Sequence, residues 1–204
     1  MTQASDKRAS SPARRARKRT RDPEASRRAL IDAAAALFNS TGYYGTDSNR
    51  IAVAAGYTPG TFYTHFEDKR EIFLEVYRVW LEEEIAAIAA VLDSDEPSRR
   101  VRLARVVLEH HRKWRTFRAS LRALYATDPV VREVRLAQRR RQIELTLERL
   151  RRHGRQARAE LLSAMLIVET LADSIADGDV EALGVREADM FRILTENISE
   201  RMRE

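Results

Sequence analysis

Apolar residues recur three and four apart along most of the chain, a period that predicts one helix after another. Leu30, Ala34, Leu37 and Phe38 form one face of a first helix. It starts at Asp22-Pro23-Glu24, a cap followed by proline at the first position, and runs to about Ser40, where Thr41-Gly42 stop it. Ile51, Ala52 and Ala55 line a short second helix, capped by Thr46 or Asp47. Gly56 ends it by taking a left-handed backbone at no steric cost. Thr58 caps a third helix barely two turns long, Pro59 to about His65. Ile72, Phe73, Val76, Trp80, Ile85, Ile88 and Leu92 mark a long fourth helix. Asp68 and Glu71 open it at capping-box spacing, and it closes near Asp93.

After a polar break at 93–97 the period resumes. Val101, Ala104, Val107 and Leu108 belong to a helix from Ser98 to Trp114; Leu121, Leu124 and Tyr125 belong to a shorter one from Phe117 to Ala126. Asp128-Pro129 opens a basic helix through Val134, Ile143, Leu147 and Leu150, which His153-Gly154 is expected to end. From 157 to 177 the pattern changes: Leu161, Leu162, Met165, Leu166, Ile167, Val168, Leu171 and Ile175 leave few polar positions. A helix apolar nearly all round is buried on more than one side. Gly178 closes it, a loop with Gly184 follows, and Met190, Phe191, Leu194 and Ile198 mark a last helix from about Arg186 to Arg201. One such helix can be buried internally. Two at the end of the chain point to pairing with their copies in a second subunit, a two-fold four-helix interface. The fold expected is all-α, about nine helices: a small three-helix unit over 23–68 with two short helices across a glycine turn, then a larger helical body over 69–204. Two short helices across such a turn usually present one of them to a partner, most often the DNA major groove.

Composition narrows the chemistry. An apolar fraction of 44% suffices for a core, and the absence of cysteine excludes disulfides, thiolate zinc sites and a cysteine nucleophile. No apolar run approaches the roughly 20 residues that cross a bilayer. The N-terminus lacks the apolar centre of a signal peptide. A cytoplasmic protein with no membrane partner is expected. Charge changes the picture at one end. Eight Lys/Arg against Asp6 and Asp22 give residues 1–22 a charge of +6, equal to the formal charge of the whole chain, so the rest is balanced. With no apolar period these residues are expected to be a disordered basic arm. Two readings of it stay open: an arm that follows DNA phosphates or enters a minor groove, and a solubilising leader.

The run IAVAAGYTPGTFYTHFEDKREIF carries a specific likeness. Ile51-Ala52, Gly56, Thr58-Pro59-Gly60-Thr61, Phe62-Tyr63, His65-Phe66 and Lys69 resemble the DNA-binding signature of the tetracycline-repressor (TetR) family of bacterial transcription regulators. The likeness covers roughly residues 24 to 75; the remainder is similar in length and helical layout alone. It implies that the short third helix lies in the major groove, with Thr58, Pro59, Gly60, Thr61, Tyr63, Thr64 and His65 toward DNA. Ser48 and Asn49 would also reach the duplex, and Lys69 would dock a phosphate. The residue chemistry agrees. Gly60 permits close backbone approach, Thr61 and Tyr63 offer hydroxyls to phosphate, and threonine methyls can meet thymine methyls. Ile51, Ala52, Ala55, Phe62 and Phe66 read as packing. His65 reads as a phosphate donor rather than a base. Two positions depart from the family pattern: Ser48 where an apolar residue is usual, and Asn49 where Arg is frequent. Asparagine pairs with adenine, arginine with guanine, so Asn49 is expected to contribute adenine preference or anchoring.

The resemblance also implies a ligand-binding and dimerisation domain over 69–204, with a cavity among the fourth to eighth helices. Tyr77, Trp80, His110, Trp114, Phe117, Leu121, Tyr125, Met165 and Glu169 are the candidates for its lining. Glu169 and Asp173 lie one turn apart; pairing with Arg118 or Arg122, contact with a cationic ligand, and a place at the dimer seam all remain open. Glu109-His110-His111 invites a metal or catalytic reading, but adjacent helical residues point about 100° apart and do not share one metal easily. One histidine lining the cavity and one on the surface is expected, with no catalytic residue, metal or cofactor. The function expected is a homodimeric, ligand-responsive regulator, most often a repressor. It would bind a palindromic double-stranded operator at the nucleoid and be released by a small-molecule effector. The rivals are a nonspecific nucleoid-type DNA-binding protein and, from another class, a helical enzyme using His110 or His111.

Overall fold

The computed structural model describes residues 22–94 and 98–201, with side chains described to 198. The basic arm over 1–21 lies outside the described residues. Among those described there are ten helices and no strand: α1 Pro23–Thr41, α2 Ser48–Ala54, α3 Pro59–His65, α4 Lys69–Leu92, α5 Arg99–Lys113, α6 Arg115–Thr127, α7 Pro129–Arg149, α8 Gly154–Asp177, α9 Asp179–Ala182 and α10 Glu187–Arg201. The helix absent from the sequence expectation is α9, a single turn in the Gly178–Gly184 loop, pinned by buried Val180.

Capping chemistry sets most helix starts. Asp22, Asp47, Asp68 and Asp128 each accept a backbone N–H of the first turn of α1, α2, α4 and α7, satisfying donors that no intrahelical carbonyl reaches. Two boundaries differ from expectation. α7 stops at Arg149 because Arg152 N–H folds back to Leu147 O (3.0 Å) and Arg151 takes φ 52°, so Gly154 begins α8 instead of ending α7. And α5 runs almost directly into α6, with buried Trp114 at the corner.

One apolar core runs through both halves of the chain. Leu30, Phe38, Ile51, Phe62, Phe66 and Phe73 close the N-terminal helices, and the same cluster continues through Trp80 of α4 into Trp114, Phe117 and Leu121. Phe73 and Phe117 stack with ring centroids 4.8 Å apart. Each such ring, taken out of water, contributes about 1.5–3 kcal/mol. A second cluster joins Val91, Leu103, Val107, Leu108, Ala172, Ile175, Leu194 and Ile198 across α4, α5, α8 and α10. The all-round burial expected of α8 is not met within one chain: only Ala157, Ala172 and Ile175 are buried there, and Leu162 and Leu166 stand exposed.

Candidate nucleic-acid interface and the cavity behind it

The α2–α3 pair is fixed by local chemistry. Gly56 sits at φ +77°, and the turn closes through Gly56 N–H to Val53 O (3.0 Å) and Tyr57 N–H to Ala52 O (2.9 Å). Pro59 begins α3. Thr58 holds the cap position without capping a backbone N–H through its hydroxyl, which lies 3.3 Å from the Thr61 hydroxyl. Phe62 and Phe66 anchor α3 in the core, as expected, and Phe62 packs edge-on against Tyr63.

Burial divides the expected DNA-facing residues into two groups. Thr58, Pro59, Gly60, Tyr63 and Thr64 are exposed on α3, and Asn49 is exposed on α2 beside half-buried Ser48. Tyr63 is 58% exposed and its hydroxyl has no partner among the described residues. A Cβ placed on Gly60 would meet only Thr58 Oγ1, at 3.9 Å, so nothing inside the fold demands glycine there.

Thr61, His65 and Lys69 behave differently from expectation. Thr61 is buried. Ser26 donates its hydroxyl to Pro23 O (2.9 Å), so it accepts from His65 Nε2–H (2.7 Å), and this ring nitrogen ties α3 to α1. Lys69 Nζ donates to Tyr43 O and Thr46 O, both at 2.9 Å, and lies 4.1 Å from the centre of the Tyr43 ring. Burial lowers its pKa. Its cation pins the α1–α2 connection to the start of α4 instead of standing open to phosphate. Tyr44 and Val53 also stand exposed on this unit.

Behind this unit, α4 to α8 line a partly open cavity of about 90 Å³. Of the residues expected to line it, Tyr77, Trp80, Leu121, Met165 and Glu169 do. Trp114, Phe117 and Tyr125 do not, because Trp114 and Phe117 complete the core shared with α1 and Tyr125 packs under Arg132 and Arg135. The two histidines are also reassigned. His111 lines the cavity, and His110 is buried against Trp80 with ring centroids 5.2 Å apart; neither is on the surface.

What sequence reasoning missed is the charge of the cavity wall. Arg118, Arg135 and Arg139 converge on Glu169, and Arg118 also holds Asp173 through two bonds, Nε–H to Oδ1 (2.7 Å) and Nη2–H to Oδ2 (3.0 Å). His111 Nδ1–H donates to Asp173 Oδ1 (2.8 Å), and Arg122 bridges Asp173 to Asp177. The open question about Glu169 and Asp173 therefore closes on arginine pairing. Burial alone would raise both carboxyls, but Arg139, Arg118 and Arg135 outweigh it at Glu169, and the bonds from His111 and Arg118 outweigh it at Asp173. Both stay below their usual range. Glu84 is the contrast. It is buried, the nearest ring nitrogens are His110 Nδ1 at 3.7 Å and His111 Nε2 at 3.9 Å, and burial raises its pKa. Burial lowers His110 to about 3 and raises Tyr77 to about 12, so both are neutral near pH 7.

The cavity is linked to the interface through α6. Arg118 and Leu121 face the cavity, while Ser120 accepts Tyr43 N–H (3.0 Å) and Asn39 of α1 bridges Lys113 O (2.5 Å) and Phe117 N–H (3.4 Å).

Comparison with known proteins agrees with this geometry. Residues 30–76 match the family described as bacterial regulatory proteins, tetR family. The N-terminal helices thus carry the signature of the TetR family. The transcriptional regulator AcrR of Shigella flexneri is 38% identical over 64 residues, 31% of this chain and 30% of that protein. The match to AcrR thus spans under a third of it. The transcriptional repressor AcnR of Corynebacterium diphtheriae is 26% identical over 159 residues, 77% of this chain and 80% of that protein. TetR-family regulators from Rhodococcus sp. (17% identical, covering 88% of this chain and 100% of that one) and Mesorhizobium loti (19%, 89% and 96%) share the fold, each with a TM-score of 0.66. These relatives are named as regulators, not enzymes. No helix among the described residues is long and apolar enough to cross a membrane.

Proposed function

We propose that this TetR-family chain is a ligand-responsive repressor that binds a palindromic operator as a homodimer and leaves it when a small molecule fills the α4–α8 cavity. The observation that carries the reading is the double role of α6. Arg118 and Leu121 reach the cavity, and two residues either side Thr116 and Ser120 lie against Gly42 at the end of α1. A ligand that moves α6 therefore moves α1 and the α2–α3 pair with it. It can release DNA only to the extent that it binds the DNA-incompatible arrangement more tightly.

The exposed face of α3 supports the DNA role, with Pro59, Gly60, Tyr63 and Thr64 outward. Exposed Leu162 and Leu166 on α8, beside α10, support pairing of two copies through the C-terminal helices. Two α3 helices would then enter successive major grooves about 34–36 Å apart. Footprinting of the full chain on genomic fragments tests the reading. Discrete two-fold protection is expected; uniform coverage would favour the nonspecific nucleoid alternative. Leu166→Glu should yield a monomer by analytical ultracentrifugation and lose operator affinity; a dimer that persists would remove the proposed interface. The enzyme alternative gains no support from His110, which is neutral and without a hydrogen-bond partner at either ring nitrogen.

A further inference from the structure

The two sides of the cavity differ in what they have left to bond. On one side the charged groups of α5 to α8 close on one another. Arg135 and Arg139 bond Glu169, Arg118 bonds Glu169 and Asp173, and His111 donates to Asp173. A charged ligand head would have to enter a network whose charges already have partners, and breaking a covered pair is costly.

The α4 side is built differently. Tyr77, Trp80 and Glu84 line the cavity at steps of three and four residues, so they share one face of α4. The Tyr77 hydroxyl and the Glu84 carboxyl have no hydrogen-bond partner among the described residues, and the ring nitrogens nearest Glu84 stand 3.7 and 3.9 Å away. Neither group is sealed, in contrast to Trp80 Nε1 and both ring nitrogens of His110, which are buried without a partner. Two covered residues of α4 therefore present unbonded polar groups to the cavity. Polar groups so covered are seldom left unbonded, and the missing partner has to come from outside the chain.

Past Ile88 the surroundings turn apolar. The cavity shares Ile88 and Gln142 with a larger cleft of about 380 Å³ between α4 and α7, lined by Ile85, Leu92 and Leu145. The cavity has room for a small head, and the cleft for a chain of several carbons. We propose that the effector is an uncharged amphiphile, its hydroxyl head bonded between Tyr77 and Glu84 and its aliphatic tail lying past Ile88 in the α4–α7 cleft. A hydroxyl both donates and accepts, so it can bond Tyr77 and the Glu84 carboxyl whether or not that carboxyl carries a proton. A cation at Glu84 would face Arg118 and Arg139, and an anion would compete with Glu169 for the arginines. The inference rests on the cavity being the effector site of the function proposed above.

Isothermal titration calorimetry on the full chain tests this with 1-hexanol, its isomer 1-methoxypentane, hexanoate and hexylamine. 1-Hexanol should bind about tenfold more tightly than 1-methoxypentane, which keeps an acceptor and lacks the donor. It should bind more tightly than either charged probe by about tenfold or more. Shortening the tail to 1-propanol should cost about tenfold or more. Glu84→Leu should erase the preference for 1-hexanol over its isomer. Tyr77→Phe, which deletes one oxygen, should weaken both, and covers the case in which Glu84→Leu does not fold. Tighter binding of hexanoate or hexylamine, equal binding of 1-methoxypentane, or no binding of 1-hexanol at millimolar concentration would overturn the proposal. The DNA response is read separately by operator release. 1-Hexanol binding without release would remove the regulatory reading and leave the ligand class standing.

Discussion

Phe38, Phe62, Phe66 and Phe73 close the N-terminal helices without a charged group at their centre, whereas a few ångströms further along the same core Glu84, His110, His111, Arg118, Glu169 and Asp173 are brought under cover together. The first region is held mainly by shape and burial, with the polar ties of His65 and Lys69 at its edge. The second is held by charge pairing among partly covered groups, so changes in their protonation carry energetic weight. A regulator of the kind proposed would need both: a reading head that keeps its shape, and a body whose preferred packing can be changed. α6 joins them, with Phe117 in the first kind of environment and Arg118 in the second.

Truncation separates the two regions most strongly. Phe73→Ala removes a fully buried ring that touches Phe38, Tyr43 and Phe117, and should cost about 3–5 kcal/mol in denaturant unfolding, independent of pH. Arg118→Met should cost a similar amount, about 3–5 kcal/mol, because Asp173 and Glu169 lose a buried partner. Its cost should shrink in acid as those carboxylates protonate. If both variants lose stability with the same pH profile, the contrast between the regions is wrong.

His110 offers a measurement inside the second region alone. Its pKa lies near 3 in the folded chain, below the ordinary 6.5, so the unfolded chain binds a proton that the folded chain refuses. The stability that the neutral ring protects is fully present above pH 6.5 and is lost as pH falls toward 3, by up to about 1.4 kcal/mol per pH unit. Glu84 acts with the opposite sign: its raised pKa favours the folded chain at low pH, and that contribution is lost as pH rises through the folded value. Comparing wild type with His110→Leu isolates the histidine. The difference in unfolding free energy between the two should vary with pH over that window and be constant above it. A constant difference throughout would mean that His110 protonates in the folded chain.

Lys69 sharpens the border between scaffold and interface. With two carbonyls bound by its ammonium, Lys69→Met should lower stability by about 1 kcal/mol, less than usual for charged hydrogen bonds because water still reaches the group. Its effect on operator affinity should follow from the displaced α1–α2 connection, and so should change little with salt. A salt slope reduced by about one charge would restore Lys69 as a phosphate contact.

The parts of this molecule legible in the sequence are those whose causes are local. Asp47, Gly56 and Pro59 each act within four residues, so the α2–α3 turn could be read from spacing alone. Phe62 and Phe66 were assigned to packing from the same period, and both are buried. The fates of His65 and Lys69 depended on partners 39 and 23 to 26 residues away, and spacing gives no account of those. The cavity wall lies further out of reach. Arg135 and Arg139 sit on a helix so rich in arginine that nothing local distinguishes the two that turn inward from those in solvent. Aromatic residues were favoured as lining because they are large and apolar. The same property placed Trp114 and Phe117 in the core instead.

Gly60 gives the smallest effect and the cleanest separation of folding from binding. It lies within α3 at an ordinary helical backbone angle, and a Cβ there would point into space shared only with Thr58 Oγ1. For the isolated chain glycine is therefore a cost, and Gly60→Ala should stabilise by about 0.5–1 kcal/mol. Gly56 makes the control: its open surroundings are similar, but its φ of +77° means that Gly56→Ala destabilises. If α3 lies against a duplex, the added methyl at position 60 stands where the backbone must approach, and operator affinity should fall although the protein is more stable. A variant that gained stability and kept its operator affinity would show that the α3 backbone does not approach DNA at this point, and would shift recognition toward Tyr63, Thr64 and Asn49.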